Sequence, residues 1–485
     1  MIIKDLLKNI KTIELHGSAS SDIVALTYDS RTAEAGSCFF AIEGVAVDGH
    51  KFIVSAVDNG ATAVVCKRLP EHIDSTKATY IVVEDTDKAM ALMAANFYGN
   101  PSGKLKVVGV TGTNGKTTIA TLLYDLVRAM GYKAGLISTV VYKVDDEQIT
   151  STHTTPDAIR LNAMLSKMAE RGCQYCFMEC SSHAIVQRRI YGIEFSGALF
   201  TNLTHDHLDY HKSFAEYIRA KKLFFDELPK GSFAIVNADD RNGEVMLQNT
   251  AAQPLTLSLR RAANFCCKII EATAEGMLLR IDGTDVWVSF LGRFNAYNLL
   301  TVYAAAVKLG FEQSEVLRVL SLLHPVDGRF DIVYAADGTI AIVDYAHTPD
   351  ALENILKTVT EIRTKREKVT VVCGCGGERD TTKRPEMARI AVKYSGRAIF
   401  TSDNPRSEDP EQILRDMEAG IAATDNYMKI VDRDNAIKTA VMLSEPKDII
   451  VIAGKGHESY QIIGDKKLDF NDKERVTYWF TTFNR

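Results

Sequence analysis

Cysteine is scarce in this chain: nine residues in 485, an odd number and too few for a disulfide scaffold. A reducing cytoplasm is the simplest home for such a protein. Long apolar runs are also missing. The longest are strand-length, which excludes a membrane span. Neither sign of charge dominates: 57 basic against 62 acidic residues leave a net charge of -5. Such a chain has no global field for nucleic acid, so any phosphate site has to be local. No internal repeat or low-complexity segment is visible. The opening MIIKDLLKNIKTIELHG carries Lys, Asp and Glu through its apolar positions and reads as an amphipathic helix, not a signal peptide. What remains is ordinary globular composition, 46% hydrophobic and 25% charged, long enough for about three domains.

Short β-branched runs alternate with longer helical stretches, the pattern of α/β units around parallel sheets. Strands are expected at 106–110, 175–178, 198–202, 234–237, 340–344, 369–372, 398–402 and 449–453, with helical stretches at 88–98 and 314–322. Two Pro/Gly clusters punctuate the chain: Asn100-Pro101-Ser102-Gly103, and His324-Pro325 through Gly328-Arg329-Phe330. They divide it into a first domain to about residue 100, a central one from 101 to 330, and a third from 331 to 485.

The sharpest local feature is KVVGVTGTNGKTT, residues 106–118, followed by an apolar-periodic stretch to Met130. A strand, a glycine turn and a helix start in that order make a phosphate cradle. Gly112 and Gly115 let backbone N–H groups converge on phosphate oxygens, and the helix dipole adds positive charge. Thr113, Asn114 and Thr118 belong to the same loop. Lys116 would reach the β- and γ-phosphates and the Thr117 hydroxyl would ligate Mg²⁺. The pattern departs from G-x-x-x-x-G-K-[ST], because Val110 holds the first glycine position.

Beyond a predicted strand end, TNLTHDHLDYH (201–211) packs three histidines and two aspartates; upstream, YCFMECSSH (175–183) ends an apolar strand in Glu179. Ligand sites gather at the carboxyl ends of strands in open α/β sheets. Taken singly these histidines are loop caps, but His207 together with Glu179 suggests a metal role. Cys173, Cys176 and Cys180 read as core packing, not zinc ligands: 173 and 176 should face opposite sides of one strand, and no second pair follows. Cys373 and Cys375 lie too close for an intrachain chelate.

Twelve segments, in order along the whole chain, resemble the Mur ligases, ATP-dependent amide-bond-forming enzymes of peptidoglycan synthesis. They are TYDSR, TGTNGKTT, HTTPDA, MECSSHAIVQRR, TNLTHDHLDYH, AKKLFF, GRFNAYNLL, DGRF, VDYAHTPDAL, GCGGERD, DNPRSEDP and GKGHESYQ. The resemblance implies an α/β, three-domain architecture: an N-terminal domain for the UDP moiety, a central P-loop ATPase domain, and a C-terminal Rossmann-like domain that receives the amino acid. Ser30 and Arg31 resemble the uridine-diphosphate site. Thr154, Thr155, Ser181, Gln187 and Arg189 resemble the grip on the muramoyl-peptide, where hydroxyls and a guanidinium suit anionic oxygens. Glu179 and His207 resemble metal ligands beside Thr117. Asn295, Asn298, Arg329 and Asp344 resemble the residues holding adenine, phosphate and ribose, with His347 helping to close the cleft. By composition Lys221 is a solvated helix lysine; the A-K-x-x-L-F pattern implies instead that CO₂ carbamylates it into a Mg²⁺-binding anion.

The DNPR segment, Asp403, Asn404, Pro405 and Arg406, resembles the branch that accepts diaminopimelate over lysine. Diaminopimelate carries a second α-amino-carboxylate, and Arg406 can hold that carboxylate bidentately. Arg379, Gly454 and Glu458 would complete the site, with Glu458 meeting the ammonium. An unpaired Arg406 would penalise lysine. The expected substrates are therefore UDP-MurNAc-L-Ala-D-Glu, meso-diaminopimelate and ATP, with Mg²⁺, acting on a monomer. Rival readings are a lysine-adding relative, folylpolyglutamate synthetase from the same superfamily, and a nucleotide-switch ATPase.

Overall fold

The computed structural model describes residues 1–44, 47–204, 206, 208–273, 275–363, 366–422 and 426–485. Three large sheets follow one another along the chain. The first has five strands drawn from Thr12–His16 to Thr79–Val83. The second has eleven, from Lys106–Thr111 to Thr284–Val288. The third has six, from Asp331–Tyr334 to Ile449–Ala453. A separate two-stranded hairpin, Tyr460–Ile463 with Lys466–Asp469, stands apart from all three.

In the central sheet, Lys106–Thr111 lies between two parallel neighbours, Tyr175–Glu179 and Phe195–Phe200. The period-2 pleat sorts their side chains between two cores. Val108, Val110 and Phe177 pack with the helices Lys116–Ala129 and Arg293–Lys308. Val107, Cys176 and Met178 pack on the other face with Ala158–Glu170 and Phe214–Asp226. Each such side chain contributes about 1.5–3 kcal/mol by leaving water. Both faces are buried, which is why these strands read as continuous apolar runs and not as alternation. All three strands end at the same edge, where the glycine loop, Glu179 and Thr201 meet.

Every expected strand is present, although two end early: 198–202 forms at Phe195–Phe200 and 398–402 at Arg397–Phe400. The opening helix is a correction: only Ile3–Leu6 is helical, and Thr12–His16 is a strand paired antiparallel with Thr79–Val83. Backbone pairing of Thr12, Glu14, Leu15 and His16 with Tyr80–Val83 outweighs a short helix's weak propensity. The facing of the cysteines also needs correcting. Cys173 lies before the strand, in the turn, and shares one core cluster with Cys176 and Cys180. All nine cysteines are free thiols, and burial raises those of Cys173 and Cys176.

Candidate active site

The loop after Lys106–Thr111 is shaped by two glycines. Gly112 has φ of 149° and a Cβ there would lie 1.8 Å from Thr201 Oγ1; Gly115, the helix N-cap at φ 89°, faces Asn298 Oδ1 at 2.6 Å. Only glycine fits both places. The turn is held from outside by Asn202, whose side chain accepts from the Asn114 N–H at 2.9 Å. Thr201 Oγ1 donates to the Asn114 carbonyl at 2.6 Å.

Two lysines converge beneath this loop. Lys116 Nζ donates to the carbonyls of Gly112 (3.0 Å) and Thr113 (2.9 Å). Lys221 Nζ donates to the same Gly112 carbonyl at 2.8 Å and lies over the Tyr217 ring. Burial, and next the charge of Lys116, hold Lys221 well below the ordinary lysine range. Burial lowers Lys116 as well, with Glu179 opposing. The solvated reading of Lys221 is thus overturned: it is 1% exposed. It lies on the inner face of Phe214–Asp226, a helix that Ser213 caps by accepting from Glu216 N–H.

Thr117 Oγ1 donates to Glu179 Oε1 at 2.9 Å, and that oxygen also accepts from Thr139 N–H at 2.7 Å. A hydroxyl and a carboxylate side by side at a P-loop are hard oxygen donors, which suit Mg²⁺ and not a soft metal. His207 lies outside the described residues.

These groups line one cavity of about 470 Å³, which also takes in Asn295, Asn298, Arg329, Asp344 and His347. Arg329 crosses from the third sheet's side and donates to Thr117 Oγ1 at 3.1 Å. Asn114 Nδ2 donates to Asp350 Oδ2 at 3.0 Å, a second bond across the boundary. Asp344 accepts from the Phe330 and Ala346 N–H groups, so its carboxylate braces the turn into the third sheet as well as lining the cavity. Burial pushes it up to about 6. Burial pushes His347 down to about 4, and its Nδ1–H donates to the Tyr345 carbonyl at 2.9 Å.

The peptide-binding candidates form a continuous chain. Thr155 Oγ1 donates to the Glu179 carbonyl at 2.7 Å and accepts from Ser181 N–H at 3.1 Å. Ser181 Oγ caps the helix Ser182–Val186. Arg189 donates to Gln187 Oε1 and to the Thr155 carbonyl. Thr154 accepts from Thr139 Oγ1 at 3.0 Å. Ser30 and Arg31 are not in this cavity. They sit in the first sheet's domain, next to a second hollow of about 340 Å³ lined by Asp29, Thr32, Asp157 and Arg160. Arg31 is exposed and ion-paired with Asp29 at 2.7 Å.

At the far end, Asn404, Arg406 and Glu458 come together on the carboxyl edge of the third sheet. Asn404 Nδ2 donates to Glu458 Oε2 at 2.8 Å, and Arg406 Nη1 donates to the Gly377 carbonyl at 2.6 Å. Buried Asp403 approaches Gly454, Pro405 packs on Gly377, and Arg379 stays exposed on the neighbouring loop. Tyr345 joins this corner to the nucleotide cavity. Its ring lies 4.4 Å from the Arg329 guanidinium and 5.2 Å from the His457 ring. Tyr345, Asn202, Asp350 and Lys455 were all missed from the sequence as site residues, though all four stand inside quoted motifs.

The comparisons agree with this layout. Family models match three stretches: "Mur ligase family, catalytic domain" over residues 22–98, "Mur ligase middle domain" over 110–306, and "Mur ligase, glutamate ligase domain" over 328–456. The chain belongs to the Mur ligase family. It is 52% identical to the UDP-N-acetylmuramoyl-L-alanyl-D-glutamate--2,6-diaminopimelate ligase of Cytophaga hutchinsonii, over 98% of each chain. A solved structure of an enzyme of that same name superposes with a TM-score of 0.71 at 31% identity, covering 100% of this chain and 99% of that one. The MurF ligase of Thermotoga maritima in complex with ADP shares the fold, with a TM-score of 0.62 at 17% identity over 95% and 97% of the two chains.

Proposed function

We propose that this enzyme is an ATP-dependent ligase that joins meso-2,6-diaminopimelate to the γ-carboxylate of the D-glutamyl residue in UDP-N-acetylmuramoyl-L-alanyl-D-glutamate. One observation carries the reading: a P-loop floor with Lys116, Lys221, Thr117 and Glu179 connects through Arg329, Tyr345 and His457 to a corner bearing Arg406, Asn404 and Glu458. A nucleotide switch has no need of that second corner.

A carboxylate is a poor electrophile, so it is first phosphorylated. The D-glutamyl carboxylate attacks the γ-phosphorus of ATP, ADP leaves, and the acyl phosphate forms. Lys116 and the N-terminus of Lys116–Ala129 offset the charge on the transferring group. When bound, Mg²⁺ would be held by Thr117 and Glu179, with His207 and a Lys221 carbamate as further ligands, and would neutralise phosphate charge. Buried Lys221 is suited to carbamylation, because only the neutral amine attacks CO₂: an N–C bond forms and one amine proton leaves. A free amine of diaminopimelate then attacks the acyl carbon, phosphate departs and the amide remains. Arg329 and Asp350 hold the two domains together over an intermediate that water would otherwise hydrolyse. Thr155, Ser181, Gln187 and Arg189 position the peptide, and Ser30 and Arg31 the uridine diphosphate.

The test is a competition of meso-diaminopimelate against L-lysine with the muramoyl-dipeptide and ATP, read as product mass and ADP release. The diaminopimelate adduct should dominate, with ADP released only when both substrates are present. A dominant lysine adduct would overturn the acceptor assignment, and vigorous ATP turnover without either substrate would overturn the ligase.

A further inference from the structure

Lys455 is fully buried, and no step above uses it. Its Nζ donates to Glu458 Oε2 at 2.8 Å and to Asn404 Oδ1 at 3.2 Å. Asn404 Nδ2 donates to the same Glu458 oxygen at 2.8 Å, so the three side chains close a ring in which each touches the other two. The hairpin beyond locks that ring from outside. Ile462 N–H donates to Asn404 Oδ1 at 2.9 Å, Gln461 Nε2 donates to the Asp403 carbonyl at 2.7 Å, and Arg406 N–H donates to the Ile462 carbonyl at 3.1 Å.

The consequence is directional. Both bonds from Lys455 and Asn404 fall on Oε2, which fixes the Glu458 rotamer and leaves Oε1 as the face a ligand can use. The ammonium also pairs with the carboxylate in a largely buried corner, where an unpartnered charge is costly. Asn404 and Glu458 come from different loops, after different strands, and among the described residues Lys455 is the cation whose side chain bonds both side chains.

We propose that Lys455 is a positioning residue for the amino-acid acceptor: it aims Glu458 and Asn404 at the α-amino-carboxylate at the far end of the incoming amino acid. The inference rests on the acceptor reading above and adds a specificity role that acts through Glu458.

The test is a double-mutant cycle on the full chain with K455M, E458Q and the pair, measured with meso-diaminopimelate as the varied substrate. Methionine keeps the length of lysine in a closed space. K455M should raise KM for diaminopimelate about 10- to 100-fold, the range of a lost charged hydrogen bond. It should leave KM for ATP and for the muramoyl-dipeptide within about twofold, and lower kcat far less than KM rises. The double variant should be no worse than the worse single variant, because both lose the same interaction. Equal losses across all three substrates, additive effects, or an unchanged KM would each overturn the proposal. If K455M does not fold, E458Q against N404A is run in the same cycle, and additivity there overturns it equally. Wild type refusing diaminopimelate would instead defeat the acceptor reading, so the two failures stay distinct.

Discussion

The nucleotide floor and the acceptor corner both bury lysines, and they treat them in opposite ways. At the floor, Lys116 and Lys221 donate to backbone carbonyls, and among the described residues neither is ion-paired with a carboxylate. At the corner, Lys455 is closed into a ring with Glu458 and Asn404. The floor holds its lysines on backbone carbonyls, with no carboxylate bonded to either among the described residues, and is suited to a phosphate chain. The corner is nearly neutral and built on side chains, suited to a zwitterion. Lysines held on backbone remain available to phosphate or to modification, whereas rotamer-locked pairs set discrimination between similar amino acids.

Breaking the floor should have the largest effect. Lys116→Met should lower ATP-dependent product formation by about 10³-fold or more, since it removes charge where charge develops in the transition state. Lys221→Ala should fall by a similar factor, but short carboxylates added to the assay should restore part of the rate. The absence of any rescue would mean that Lys221 acts as a cation and not as a carbamate. The two variants together separate a lysine that works by its charge from one that works after losing it.

The corner should respond in selectivity before rate. Arg406→Lys keeps the charge and removes the planar fork, so the kcat/KM ratio of diaminopimelate over lysine should fall about 10- to 100-fold. An unchanged ratio, measured by product mass in mixed-substrate assays, would locate specificity elsewhere.

The contrast also explains what could be read from residue order. Strands and the P-loop were legible because backbone chemistry imposes residue types: glycine where Thr201 leaves no room for a Cβ, β-branched runs where both sheet faces are covered. The burial of Lys221 was not legible, because its neighbours Gly112 and Tyr217 come from a distant loop and from the turn of helix before it. Lys455 escaped for a related reason. Its partners Asn404 and Glu458 are named by motif, yet nothing in GKGHE says that the lysine turns inward. The opening segment failed differently: Thr12–His16 became a strand through pairing with Thr79–Val83, a contact no local pattern announces.

Between the two regions lies a titratable layer, and acid should weaken it. His347 is held down to about 4 and His457 to about 3 by burial, against 6.5 ordinarily. The unfolded chain therefore takes up protons below about pH 6.5 that the folded state refuses. This stability is full above that pH and falls as pH drops toward 4. Asp344, raised to about 6, has the opposite slope: its contribution is full below its ordinary 3.8 and is lost as pH rises to 6. The histidine shifts are the larger in sum, so the net acid limb is destabilising. His347→Gln should flatten it, seen as a smaller drop in Tm between pH 7 and pH 4.5 than wild type shows. An unchanged drop would mean that groups other than His347 set the acid limb.

The smallest expected effect concerns how the two regions are held in register. Asp350 stands in the first turn of Pro349–Ile362, and its Oδ2 accepts from Asn114 in the P-loop at 3.0 Å and from Asn354 at 3.1 Å. With the Arg329 to Thr117 bond, it ties the third sheet's side directly to the start of the Lys116–Ala129 helix and its loop. Asp350→Ala removes one of these bonds and leaves the other, so KM for ATP should rise about 3- to 10-fold, the range of a single hydrogen bond. Selectivity between diaminopimelate and lysine should not move, because the Asn404–Lys455–Glu458 ring is untouched. If selectivity fell together with ATP affinity, the floor and the corner would be one coupled unit, and the division between backbone-held and side-chain-locked lysines would fail.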